Sequence, residues 1–137
     1  MFTSITHIRV RYGETDKMGF LYHGNYALYY EVGRVEAIRE LGVSYADMEE
    51  QGVLMPVVEM NLKYYRPIFY DNLITVKTIL KEWPRASRIQ FHTELYNEEG
   101  KLLNVGVTTL AFVDAATKRK TDFPELLRER LAPYFSS

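Results

Sequence analysis

Residues 25–42 can form several turns of helix, but they do not read as a free-standing surface helix. Ala27, Gly33 and Ala37 interrupt the segment with small side chains. A glycine inside a helix costs roughly 1 kcal/mol relative to alanine. A helix that keeps one at Gly33 is expected to be tightly wrapped, with other backbone approaching it closely. Asn25 stands at the N-cap and Leu28 and Tyr29 begin an apolar face. Val32, Val35, Ile38 and Leu41 continue that face at helical spacing, Arg34, Glu36, Arg39 and Glu40 are polar, and Gly42 ends the helix as its C′ residue.

The rest of the chain supplies the wrapping. Ile5–Tyr12 alternates as a half-exposed strand, and Gly13–Asp16 ends it with turn residues. Ser44 caps a short helix through Glu50 that Gly52 stops. Strand patterns follow over 53–65 (with Pro56 near the start), 73–81, 88–96 and 102–113, joined by turns at Asp71-Asn72, Trp83-Pro84 and Asn97–Lys101. Phe123-Pro124 opens a final amphipathic helix through Leu131, with Pro133 beyond it. An early helix followed by meandering strands predicts an α+β fold: a curved antiparallel sheet of about five strands around one long helix. The whole of 1–137 reads as a single domain. Its two sheet edges must be covered or paired, so a homo-oligomer is expected.

Composition narrows the function. Seventeen Lys+Arg against eighteen Asp+Glu give a net charge of -1, which removes the footprint of a general nucleic-acid binder. The absence of cysteine excludes disulfides, thiolate metal sites and a cysteine nucleophile. No His/Asp/Glu grouping has metal-ligand spacing, so no metal is expected. No apolar run nears the ~20 residues of a membrane span, and the N-terminus lacks signal-peptide character. A cytoplasmic protein is the expectation.

Chemistry concentrates between Asp16 and Tyr26. A carboxylate in a glycine-bearing loop stands next to a helix N-terminus, whose free N–H groups can hold a developing oxyanion. Asp16-x-x-Gly19-x-x-Tyr22-His23-x-Asn25-Tyr26 resembles the signature of hotdog-fold acyl-CoA thioesterases. The nearest subgroup is the 4-hydroxybenzoyl-CoA thioesterase-like one, which includes bacterial enzymes associated with the Tol–Pal system. Val10-Arg-Tyr12, Leu41-Gly42 and Tyr64-x-x-Pro67-x-x-x-Asp71 extend the resemblance across most of the chain.

The resemblance implies a hotdog sheet around the helix, with active sites at a dimer interface and dimers or tetramers as the assembly. It implies hydrolysis of acyl-CoA, with CoA as part of the substrate and no separate cofactor. Asp16 takes the role of nucleophile or of the base that activates water. The backbone N–H at His23 takes the thioester oxygen, while Tyr22 and Asn25 shape the loop, with Gly19 and Tyr26 completing the signature. Gly24 departs from the bulkier residue or proline common at its position. Arg85 and Ser87 match a segment that binds CoA phosphates, and Lys118–Lys120 either adds charge or is a solvated turn. An acyl-carrier-protein thioesterase, a hotdog dehydratase using His23, and a non-catalytic acyl-thioester binder are the alternatives.

Other residues carry two readings. The His23 ring either works in acid–base chemistry or orients and packs. Glu31 either faces the acyl pocket or points to solvent. Glu59, an odd charge between Val58 and Met60, is either a second active-site carboxylate or an outer-face residue. His7 and His92 read as ordinary strand residues, and Tyr29-Tyr30 and Tyr64-Tyr65 as core or interface.

Overall fold

The computed structural model describes residues 1–135. The elements, in chain order, are β1 (Phe2–Arg9), α1 (Tyr26–Glu40), α2 (Tyr45–Glu50), β2 (Val53–Leu54), β3 (Val57–Tyr64), β4 (Leu73–Leu80), β5 (Arg88–Tyr96), β6 (Leu102–Ala111), β7 (Val113–Asp114) and α3 (Glu125–Phe135). Two 3-10 turns, Tyr12–Glu14 and His23–Asn25, lie between β1 and α1. Five strands form one antiparallel sheet in the order β1-β4-β5-β6-β3, and α1 packs on β1, β4 and β5. This is the helix-in-sheet arrangement expected from the sequence.

The close approach anticipated at Gly33 is present. A Cβ there would lie 2.5 Å from Thr78 Oγ1 and 2.7 Å from Val76 Cγ1, so α1 sits against β4 at a distance that excludes any side chain. The same device recurs on the sheet, at a glycine that no local pattern marks. A side chain at Gly106 would collide with the Tyr30 ring and, at 2.8 Å, with the Asn61 carbonyl. Below that ring the Tyr30 hydroxyl donates to Asn104 Oδ1, and Asn104 Nδ2 donates to the Lys63 carbonyl at 2.9 Å.

The helix face is rotated from the expected one. Tyr29, Ile38 and Leu41 are buried as expected, but Tyr26, Tyr30, Gly33, Arg34 and Ala37 join them, whereas Leu28 and Val32 are 53% and 41% exposed. The helix is apolar on two sides, and periodicity cannot tell which one meets the sheet. The side with small residues does, because only it lets the backbones close up. Arg34, expected among the polar positions, is thereby buried. Its Nε and Nη1 have no hydrogen-bond partner among the described residues.

Strand boundaries shift for local reasons. β1 runs from Phe2 to Arg9, not from Ile5 to Tyr12. It pairs with β4 from Phe2↔Leu80 to Arg9↔Leu73, and then Arg11 turns the chain aside by bonding Glu14. The stretches 53–65 and 102–113 each break in two: Ala111 N–H bonds the Pro56 carbonyl at 3.0 Å, and beyond that point β2 and β7 pair as a separate ribbon. Only β4–β5–β6 is a meander. The link from β3 to β4 crosses the sheet, leaving β3 at the edge opposite β1. Gly42 (φ +86°) and the Ser44–Asp47 capping box are as expected. α3 continues through Pro133 to Phe135. A proline so near a helix end removes only one late hydrogen bond, and Phe135 packs edge-on to Trp83 at 5.6 Å.

Two buried clusters result. One joins α1's C-terminal half, α2 and α3 through Ile38, Met48, Phe91, Phe112 and Leu131. The other gathers Tyr26, Tyr29, Tyr30, Ile68 and Ile74 around the helix N-terminus, and it supports the loop that carries Asp16.

Candidate active site

Asp16 sits in a tight turn that is itself a small hairpin. Thr15 bridges to Leu21, Asp16 N–H donates to the Phe20 carbonyl at 2.8 Å, and Gly19 N–H donates to the Asp16 carbonyl at 3.0 Å. Gly19 takes φ +82°, which its lack of a Cβ permits. The Asp16 side chain completes the turn through one oxygen: Oδ1 accepts the N–H groups of Met18 (2.9 Å) and Phe20 (3.2 Å). Oδ2 has no hydrogen-bond partner among the described residues, leaving one oxygen of a well-anchored carboxylate for chemistry.

The loop is tied to the sheet where Leu21 N–H donates to the Ile68 carbonyl at 2.7 Å, and it then enters the His23–Asn25 turn. Tyr22 N–H donates to the Glu14 carbonyl, Asn25 N–H to the Tyr22 carbonyl, and Tyr26 N–H to the His23 carbonyl. Among the described residues, the N–H groups of His23 and Gly24 meet no acceptor. Asn25 does not cap α1 with its side chain as expected. It is already helical (φ -83°, ψ -13°), and its Nδ2 instead donates to the Glu14 carbonyl at 2.9 Å. Gly24 has a local reason: a Cβ would stand 2.8 Å from Cε2 of the Tyr22 ring. That ring leans on the exposed His23 imidazole with centroids 4.3 Å apart.

Asp16 and His23 line one groove of about 360 Å³. Its other side is aromatic, with Phe20, Tyr26, Tyr64 and Tyr65, and Arg66 lies at its margin. Tyr26 and Tyr64 meet edge to face at 4.9 Å. Burial, with Tyr64 adding to it, pushes the Tyr26 phenol up to about 12, so it stays neutral at physiological pH. The aromatic wall went unread from sequence, where Tyr64-Tyr65 was core or interface. Its signal was the Tyr64-x-x-Pro67 element, whose turn brings the end of β3 over the helix N-terminus.

The remaining expected residues stand elsewhere. Glu31 is exposed on α1, outside the lining of this groove. Glu59 and Arg85 line a second groove, about 260 Å³, on the outer face of the sheet, together with Arg88, Gln90 and His92. Ser87 is half-buried beside it, its carbonyl accepting Phe112 N–H at 2.8 Å. Arg85 and Arg88 bond each other's backbones across a tight turn, which sets two guanidinium-bearing residues side by side. Arg88 ends the Trp83–Arg88 segment that resembles a phosphate-binding one, but only Arg85 and Ser87 match the family there, and Arg88 also opens β5. Burial, reinforced by Lys81, holds the His92 imidazole below its ordinary value. Glu59 and Tyr64 are five residues apart on one strand, about 17 Å, so one chain does not bring the two grooves together. No group of three His, Asp or Glu side chains among the described residues could hold a metal ion.

A long helix wrapped by an antiparallel sheet, with an anchored carboxylate and free N–H groups where the helix begins, defines a hotdog-type thioester-hydrolase fold. The chain belongs to the Thioesterase-like superfamily, whose family model matches residues 10–131, and with it to the thioesterase class of enzymes. A relative from Bacillus subtilis, by its name a provisional acyl-CoA thioesterase, YneP, is 37% identical over 123 residues, spanning 90% of this chain and 88% of its own. The acyl-CoA thioester hydrolase YbgC of Escherichia coli is 28% identical over 118 residues, covering 86% of this chain and 87% of its own. Among solved structures, a DHNA-CoA thioesterase from Staphylococcus aureus superimposes with a TM-score of 0.84 at 41% identity, covering 98% of this chain and 85% of that one.

Proposed function

We propose that this protein hydrolyses acyl-CoA thioesters to a carboxylic acid and free CoA in the cytoplasm, using Asp16 and the N–H groups of His23 and Gly24. The observation that carries this reading is the pairing within one groove of an anchored carboxylate with a spare oxygen and His23, whose N–H is unpaired at the helix entry; the unpaired Gly24 N–H follows it in the chain. The thioester carbonyl oxygen gains negative charge as it is attacked, and preorganised backbone donors stabilise that charge without reorganising. Asp16 either attacks the carbonyl directly, expelling CoA thiolate and leaving a mixed anhydride for water to cleave, or takes a proton from an attacking water.

The aromatic wall of Phe20, Tyr26, Tyr64 and Tyr65 supports a flat aromatic acyl group, and the S. aureus relative named for a DHNA-CoA substrate points the same way. CoA needs a basic surface, which Arg85 and Arg88 offer at the far end of β3. Antiparallel pairing of the open β3 edge with a second copy would carry that end towards the first copy's Asp16 groove, so a homodimer unites the halves. The test is release of free thiol from a panel of acyl-CoAs varying in length and aromaticity. Turnover fastest on benzoyl- or naphthoyl-CoA supports the reading, and no thiol release from any member overturns it.

A further inference from the structure

Glu14, outside the family-like signature, is the point to which the helix-entry end of the loop is tied. Its carboxylate Oε1 accepts the Arg11 N–H at 2.9 Å and the Tyr29 hydroxyl at 2.8 Å, and Oε2 accepts Arg11 Nη2 at 3.1 Å. Its carbonyl oxygen accepts the Tyr22 N–H and Asn25 Nδ2, each at 2.9 Å. Tyr22 and Asn25 bracket His23 and Gly24, the two residues with unpaired N–H groups. Through its side chain Glu14 holds the first turn of α1, and through its backbone it holds the entry to that helix.

We propose that Glu14 is a positioning residue for thioester hydrolysis: it locks the His23–Asn25 turn against α1 and so fixes the oxyanion donors relative to Asp16. This rests on the reading of Asp16 and the two N–H groups given above. The contacts are unequal. The Arg11 side chain is 80% exposed and contributes little through screened charge, whereas the Glu14 side chain is 13% exposed and Tyr29 only 2%. The Tyr29–Glu14 hydrogen bond is therefore the desolvated, geometry-setting one. Tyr29 belongs to the buried cluster around the helix start, so Glu14 is tied to a fixed post. Oε1 is the atom that matters, because it alone accepts from both Arg11 N–H and Tyr29, whereas Oε2 meets only the exposed Arg11 side chain. A glutamine would keep that oxygen, so the tie is broken only by a side chain without an acceptor, such as methionine, or by removing the Tyr29 hydroxyl. The distance between attacking oxygen and oxyanion donors tolerates little error, since a displacement of about 1 Å can cost on the order of 100-fold in rate.

The experiment compares wild type, Glu14→Met, Tyr29→Phe and the double variant on one acyl-CoA, with thermal unfolding of each. Expected is a fall in kcat of about 10- to 100-fold for each single variant with KM within about twofold, and a double variant no slower than the worse single, because both changes break the Tyr29–Glu14 contact. Multiplying effects, an unchanged kcat in folded Glu14→Met, or a change in KM alone would overturn the proposal. If Glu14→Met does not fold, Tyr29→Phe carries the test, since it leaves the Glu14 carbonyl contacts in place. A wild type without hydrolytic activity, or full turnover in Asp16→Asn, defeats the underlying reading instead, so the two failures are distinguishable.

Discussion

The two grooves of this protein are built on opposite principles. Around Asp16, nearly every backbone group is assigned: the turn closes on its own side chain, Leu21 is pinned to Ile68, and the helix entry hangs from Glu14. The outer groove is held mainly by backbone pairing, with one side-chain bond from Gln90 Nε2 to Thr109 Oγ1 at 3.2 Å; Arg85 and Arg88 are exposed above the sheet, and no ion pair joins them to an acid among the described residues. The difference fits the roles proposed for each. Chemistry depends on fractions of an ångström, whereas attraction of phosphates needs charge within reach but no fixed geometry. Rigidity is concentrated where the proposed reaction would need it.

That contrast can be broken by exchanging charge for geometry. The largest effect is expected from Asp16→Asn, which retains a side-chain acceptor for Met18 and Phe20 but removes the proposed nucleophile or base. We expect kcat to fall on the order of 10³-fold with the fold intact by circular dichroism, and near-normal turnover would remove Asp16 from the mechanism. Charge reversal at Arg85 and Arg88 is expected to raise KM for CoA esters about tenfold while sparing N-acetylcysteamine thioesters. An equal effect on both substrates would mean the outer groove does not hold phosphates. Tyr64→Ala removes the edge-to-face partner of Tyr26. A several-fold loss of kcat/KM for aromatic over short aliphatic acyl-CoAs is expected, and a uniform loss would argue against an aromatic pocket.

The smallest effect is a pH dependence of stability. Burial alone would raise the Glu14 carboxyl, but hydrogen bonds from Arg11 N–H, Tyr29 and the Arg11 side chain outweigh it and hold the group below its ordinary value. A carboxyl lower in the folded than in the unfolded chain contributes stability that is complete above the unfolded value and is lost as pH falls through the folded one. Wild type should thus lose slightly more stability than Glu14→Gln on acidification from about pH 5 to about pH 3. Parallel denaturation curves across that range would show that the carboxylate is not held as described.

Much of this was legible before any coordinates. The Asp16–Tyr26 pattern, Gly19 with its positive φ, the Gly42 stop and the need for something close against Gly33 are local properties, carried by residues adjacent in the chain. The face of α1 was misjudged, because an apolar stripe at Leu28, Val32 and Val35 looks like a core face until the sheet selects the side with small residues. The role of Glu14 was invisible for a related reason: its partners at Tyr22, Asn25 and Tyr29 are separated from it by 8, 11 and 15 positions. Nothing in a turn sequence announces where a carboxylate will point.

The sequence by itself determined the elements and the chemistry available: one helix too small-sided to stand alone, strands enough to enclose it, a carboxylate loop and no thiol. Only the tertiary structure decided the arrangement. It moved β3 across to the far edge, set Arg85 and Arg88 apart from Asp16, turned Tyr64 over Tyr26 and gathered the loop onto Glu14. Hydrogen-bond geometry and spacing act locally and leave their mark in short patterns. Which edge a strand joins, and which face of a helix is covered, depend on summed contacts between segments far apart in the chain, and no short pattern encodes that sum.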